Sequence, residues 1–112
     1  MAGVLAQMVA AEVIVLATPV YFYTMSAQMK TLIDRTCPRY TEISGKDFYF
    51  IVSAADSSVE ELERTVEGLR GFTRCLADAS EKGVIYGAGA WRVGEIKGSP
   101  ALTRAYEMGR GV

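Results

Sequence analysis

Short, uninterrupted apolar runs recur along this chain between longer segments of helical period, and that recurrence decides what it can fold into. Glu12-Val13-Ile14-Val15-Leu16-Ala17 and Phe48-Tyr49-Phe50-Ile51-Val52 do not alternate apolar with polar residues, and Val84-Ile85-Tyr86 is a shorter run of the same kind. Alternation marks a strand with one wet face, whereas a continuous β-branched and aromatic run reads as a parallel strand covered on both faces. Thr18-Pro19 stops the first run, because proline cannot donate to a strand ladder and biases its predecessor away from helix.

The segments between the runs have helical spacing. Val4 to Ala10 is a short helical pattern that leads directly into the first strand. From Ala27 to Cys37, the residues Met29, Leu32, Ile33 and Thr36 share one face, with Ser26 as N-cap and Pro38 just past the end. The best-patterned helix carries Val59, Leu62, Val66, Leu69, Phe72 and Leu76, and both Ser57-x-x-Glu60 and Ser58-x-x-Glu61 fit a capping box. Gly83 then supplies a stop before the third strand, a glycine-rich loop runs from Gly87 to Gly98, and Ser99-Pro100 opens a last helix. Helix and strand therefore alternate throughout, which implies right-handed crossovers and a parallel sheet between two helical layers, a three-layer α/β fold. Three strands are few for that architecture, which usually has about four to six. The chain of 112 residues makes one domain, 1–112, able to bury roughly two-thirds of its unfolded surface.

Composition narrows the function. Lys and Arg total 12 against 13 Asp and Glu, and no basic stripe interleaved with aromatics is present, so the footprint of a nucleic-acid binder is missing. The longest apolar stretch, Val13 to Val20, is far short of the ~20 residues that cross a bilayer, and no basic leader opens the chain. We read the chain as soluble and cytoplasmic, with no membrane partner. Histidine is absent, which removes Ser-His-Asp and Cys-His devices and the commonest transition-metal ligand. Cys37 and Cys75 lack any local pairing and read as ordinary buried thiols, with no metal site.

In open α/β sheets ligands bind beyond the carboxyl ends of the strands, which singles out the loops Thr18 to Met25, Ala54 to Ser57 and Gly87 to Gly98. The first places Tyr21, Phe22 and Tyr23 consecutively where a loop is ordinarily polar and small. Aromatic faces and Met25 suit a flat amphipathic ring system such as a flavin, whose polar edge backbone groups would pair. The same aromatics could instead cap the sheet or fill a subunit interface.

The run from Ala17 to Arg35, Ala-Thr-Pro-Val-Tyr-Phe-Tyr-Thr-Met-Ser-Ala-Gln-Met-Lys-Thr-Leu-Ile-Asp-Arg, resembles the flavin-loop signature of the NADPH-dependent FMN reductase family, in the branch related to iron-sulfur flavoproteins. Gly87-Ala88-Gly89-Ala90-Trp91 and Gly94-Glu95-Ile96 resemble the family's later loop, and the likeness extends over nearly the whole chain from about Val4. The resemblance implies a flavodoxin-like fold, noncovalent FMN with its ring against the Pro19 to Ser26 loop, reduction by NAD(P)H, and assembly as homodimers or homotetramers. Cofactor-binding candidates are then Pro19, Val20, Tyr21, Phe22, Tyr23, Met25, Ser26, Asp56 and Trp91, with no side chain named as catalyst, since the flavin carries the electron chemistry.

The departure from the family is equally informative. Its members open with a strand, a Ser/Thr/Gly/Asn-rich phosphate loop, a helix and a second strand, and no remaining segment of this chain supplies an equivalent nest of backbone N–H groups. The fold is therefore read as a truncated flavodoxin-like sheet. Gly87-Ala88-Gly89 lacks the G-x-G-x-x-G pattern and a following helix, and is better read as a loop covering the site than as a phosphate cradle. Trp91 either stacks there or anchors packing. Arg35 and Arg39 could meet a phosphate or simply favour a helix end, Asp34 pairs locally, and Asp56 either approaches the crevice or caps the next helix. Three functional readings follow: an FMN-dependent NAD(P)H oxidoreductase or a truncated relative of one, a non-enzymatic interaction or oligomerisation module that has lost the cofactor, and a fragment in which Met1 is an internal methionine. Under either of the first two, a flavodoxin strand order leaves the Glu12 to Ala17 strand with an unpaired apolar edge that association would cover.

Overall fold

The computed structural model describes residues 1–112, and in it the three apolar runs are the three parallel strands of one sheet. They are β1 (Val13–Tyr21), β3 (Asp47–Ser53) and β4 (Ser80–Gly87). A two-residue strand, β2 (Thr24–Met25), folds back on the end of β1, so the order across the sheet is β2-β1-β3-β4. β1 runs parallel to β3 from Val13 opposite Asp47 to Pro19 opposite Ser53, and β3 runs parallel to β4 from Asp47 opposite Ser80 to Ser53 opposite Gly87. β2 is antiparallel to β1, with Val20 opposite Met25 and Tyr21 opposite Thr24.

Helices α1 (Ala2–Ala10), α2 (Ala27–Asp34) and α3 (Glu63–Thr73) cover one face, and α4 (Pro100–Arg110) crosses the other. The covered face is the core. Phe48, Phe50 and Val52 of β3 are fully buried between Ile14 and Leu16 of β1 and Leu62, Val66 and Leu69 of the α3 segment. Phe72 closes the far end edge-on to Phe48, with ring centroids 6.4 Å apart and planes 82° to each other. Each such side chain contributes about 1.5–3 kcal/mol by leaving water, and α3 presents them at the predicted three- and four-residue spacing. No helix is long and apolar enough to cross a membrane.

Several local expectations are corrected. Thr18-Pro19 does not stop the strand: β1 continues to Tyr21, because Val13 to Pro19 has a neighbour on one side only and an edge strand tolerates proline. Gly83 is not a stop but lies inside β4, beside a register irregularity between Phe48 and Tyr49. A Cβ there would lie 2.6 Å from the Met108 sulfur, so the end of the Met108 side chain of α4 packs into the space the glycine leaves open. The capping boxes before α3 do not form. Val59–Leu62 is a 3₁₀ turn with no side-chain cap, and Asp56 instead accepts the Ser58 N–H at 2.8 Å. Cys37 and Cys75 are exposed, not buried. β1 is not covered on both faces either: Val15 keeps 53% of its surface exposed, since α4 reaches across only part of that face.

Candidate functional site

The loops at the carboxyl ends of β1 and β3 meet in a cleft of about 180 Å³ walled by Val20, Phe22, Tyr23, Ala54, Asp56, Glu61 and Leu62. Four of the residues expected from the sequence, Val20, Phe22, Tyr23 and Asp56, are thus brought together. The hairpin between β1 and β2 makes this possible. Its two central residues have positive φ, 50° at Phe22 and 67° at Tyr23, the backbone of a two-residue primed turn that Asn-Gly ordinarily supplies. Holding an aromatic residue there costs about 1–2 kcal/mol per residue. The Phe22 side chain is fully solvent-exposed at the tip, so no burial compensates for its backbone. Strain of this kind persists only where the surroundings over-determine it and is concentrated at binding sites.

Buried hydrogen bonds and packing supply those surroundings. Thr18, only 4% exposed, accepts the Ser26 N–H at 3.0 Å and donates to the Pro19 carbonyl at 2.8 Å, tying both legs of the hairpin together. Ser26 in turn caps α2, its hydroxyl accepting the Met29 N–H at 3.2 Å. Met25 is buried against α3, where a Cβ at Gly68 would come within 3.1 Å of its terminal methyl. Met25 and Ser26 therefore hold the hairpin from behind and do not face the cleft. Pro19 and Tyr21 lie on the opposite face of β1 from Val20, and Tyr21 is exposed there.

On the other wall, Asp56 stands between two neighbours. Its carboxylate accepts from Ser58, and its carbonyl accepts the Gly89 N–H at 2.8 Å, while Ala54 accepts the Ala90 N–H at 2.9 Å. The Gly87 to Ala90 turn thus spends its amide donors on the β3 loop, in keeping with its reading as something other than a phosphate cradle. Trp91 lies beyond this turn, 79% exposed and outside the cleft, its backbone N–H donated to the Glu95 carboxylate.

Glu61 and Leu62 read from the sequence as a capping residue and a helix-face residue, not as parts of a site, and Arg64 carries no sequence signal of its own. Arg64 lies 5.4 Å from the Tyr23 ring centroid, a cation–π contact that locks the aromatic wall to α3. The only signal of a site was position, since all three follow the β3 loop. Behind them Glu63 accepts a hydrogen bond from the Tyr86 hydroxyl. Burial, and then that bond, push the Tyr86 phenol up to about 12. Arg70 reaches Glu81 at 2.7 Å, Glu67 at 3.0 Å and Glu63 at 3.4 Å, and these carboxylates, Glu81 first, hold its guanidinium further above its ordinary range.

The cleft is apolar and aromatic on the hairpin side and carries two carboxylates, Asp56 and Glu61. That suits the ring of a flavin, but at about 180 Å³ it encloses less than the roughly 300 Å³ at which small-molecule pockets begin. No Lys or Arg is among the residues that wall it, so the ring end of FMN fits these residues better than the phosphate end.

Comparison with known proteins agrees with this geometry. A family model described as NADPH-dependent FMN reductase matches residues 1–82. An FMN-dependent NADH:quinone oxidoreductase of Methylocella silvestris is 36% identical over 89 residues, 80% of this chain, although the chain spans only 35% of that relative's length. Among solved structures, the Trp repressor binding protein of Bacillus subtilis superposes with a TM-score of 0.83 at 22% identity, covering 93% of this chain and 72% of that one. An NADPH-quinone reductase from P. pentosaceus superposes at 0.70 with 14% identity, over 96% of this chain and 70% of its own. These likenesses confirm the flavodoxin-like sheet expected from the sequence, and the family match, which takes in β1, the hairpin, β3 and α3, shows that the chain belongs to the NADPH-dependent FMN reductase family.

Proposed function

We propose that this chain carries the flavin-ring site of an FMN-dependent NAD(P)H oxidoreductase, with the hairpin Tyr21 to Thr24 as one wall of that site. The observation that carries the reading is the pair of strained aromatics, Phe22 and Tyr23, lining a cleft on the carboxyl side of the sheet. FMN supplies electron transfer from a nicotinamide nucleotide to an acceptor, for which a quinone is the candidate suggested by the name of the Methylocella relative. The chain's own part is to position the ring: Val20, Tyr23 and Leu62 exclude water from its apolar side, Phe22 folds over it, and Asp56 sets the charge at its edge. Neither NADH nor NADPH is favoured by any residue of the cleft, and a cytoplasmic setting accompanies the reading.

The family's second property, assembly as a dimer or tetramer, is part of the same proposal. β1 offers a charge-free edge from Val13 to Thr18 and an open apolar face at Val15, which association would cover. The same edge supports the alternative, a module that associates without cofactor.

Titration with FMN and separately with riboflavin, followed by flavin fluorescence, decides between them. FMN binding, with NAD(P)H oxidation once it is loaded, supports the oxidoreductase. Preference for FMN over riboflavin would mean that a phosphate site is built across an association interface. Failure of a folded chain to bind either flavin overturns the reading in favour of the module, and light scattering that finds a monodisperse monomer at micromolar concentration overturns the assembly.

A further inference from the structure

The chain's two cysteines, expected in the core, are both free and both exposed, and they line the same groove. It has a volume of about 300 Å³, lies between the carboxyl ends of α2 and α3, and is otherwise walled by Ile33, Asp34, Thr36, Tyr40 and Phe72. Cys37 opens the 3₁₀ turn Cys37–Glu42 that follows α2, and Cys75 lies just beyond the last turn of α3. Helix ends are where local opening is easiest, and neither cysteine belongs to the buried core, so either can swing without unpacking it. The Cys75 thiol is held only by a weak bond to the Gly71 carbonyl at 3.3 Å. The one carboxylate in the groove, Asp34, is paired with Lys30 at 2.6 Å.

We propose that Cys37 and Cys75 form a reversible dithiol–disulfide pair that exchanges with low-molecular-weight disulfides of the glutathione class. One thiolate attacks a sulfur of the small disulfide, whose S–S bond breaks, and one small thiol leaves. The second cysteine, as thiolate, attacks the protein-side sulfur of the mixed disulfide and releases the second small thiol. The two protein thiols give up two electrons and two protons, and the small disulfide takes them up. The bond ties the far ends of the two helices whose near ends hold the hairpin, through the Ser26 cap, and the Leu62 wall of the cleft. The pairing rests on the groove alone and is independent of flavin binding.

The test uses the full chain, reduced and then exposed at micromolar concentration to oxidised glutathione, with intact-mass measurement and peptide mapping after alkylation. The expected product is a monomer-linked species lighter by two hydrogens, carrying no glutathione, with the Cys37 and Cys75 peptides joined and both thiols recovered on reduction. Cys37→Ser and Cys75→Ser should each retain one glutathione in place of the internal bond. A wild-type chain that retains two glutathiones, that cross-links only between copies, or that keeps both thiols free overturns the pair.

Discussion

Replacing Phe22 with asparagine should make the protein more stable and its cleft a poorer flavin site. The left-handed backbone at φ 50° costs a bulky L-residue about 1–2 kcal/mol, whereas asparagine visits it readily. Phe22 is fully exposed, so the substitution gives up no buried surface, and unlike glycine, asparagine does not greatly loosen the unfolded chain. The net gain is about 1 kcal/mol, or roughly 4 °C in the melting midpoint for a domain of this size. If Phe22 folds over a bound ring, its loss removes up to about 1.5–3 kcal/mol of burial in the complex and weakens flavin binding by roughly tenfold to a hundredfold. Thermal unfolding followed by circular dichroism measures the first effect and fluorescence titration the second. A midpoint that stays or falls would show that the hairpin stores no strain. A raised midpoint with unchanged flavin affinity would show that the strain serves something other than the ring.

Further outcomes follow from the same structure. Thr18→Val should lower stability by about 1–3 kcal/mol in urea unfolding, because it strands the buried Ser26 N–H, while Thr18→Ser should recover most of the loss. Leu69→Ala, at a fully buried position facing β3, should cost about 2–5 kcal/mol, and Leu102→Ala on the exposed side of α4 should cost far less by the same measurement. With its phenol pushed up to about 12 from an ordinary 10, Tyr86 keeps its proton in the folded chain at pH values where the unfolded chain has lost it. Its stabilising contribution is therefore complete below about pH 10 and disappears as pH climbs towards 12. Unfolding curves across that window should fall more steeply for the native chain than for Tyr86→Phe, and parallel curves would refute the assignment.

What the sequence made legible follows the range of the forces involved. The α3 face from Val66 to Phe72 and the β3 run from Phe48 to Val52 are written in local periodicity, and they fold as read because burial enforces the same period. Thr18-Pro19 and Gly83 misled because a breaker's meaning depends on what lies beside the strand. An unpaired edge accepts the proline, and the glycine leaves room inside the strand for the Met108 side chain of the crossing helix. The exposure of Cys37 and Cys75 depends on how the ends of two helices pack, which no local pattern encodes. At the site, the aromatic run and Asp56 could be chosen from their place after the strands. The hairpin's backbone could not, since nothing in Tyr-Phe-Tyr announces a turn that favours Asn-Gly. Arg64 over Tyr23 is a tertiary contact and left no trace in either segment.

Two consecutive aromatics in left-handed backbone would relax if the hairpin were free, so the rigidity of the cleft must come from residues that never touch it. Thr18 and Ser26 supply it. Thr18 sits one residue before the proline and reaches across to the residue that starts α2, while Ser26 passes the restraint on by capping that helix. Each is buried, and a buried N–H left without its acceptor would cost about as much as the strain at one aromatic. Met25, buried against α3 beside Gly68, opposes a sliding of the hairpin that would relieve the turn by a register shift, since the shift would carry Met25 out of the core. Pro19 adds to this by fixing φ at the start of the restrained segment. The spacing of threonine, proline, methionine and serine in this loop is thus the part of the sequence that holds Phe22 and Tyr23 in place, and the aromatics are the part that has something to hold.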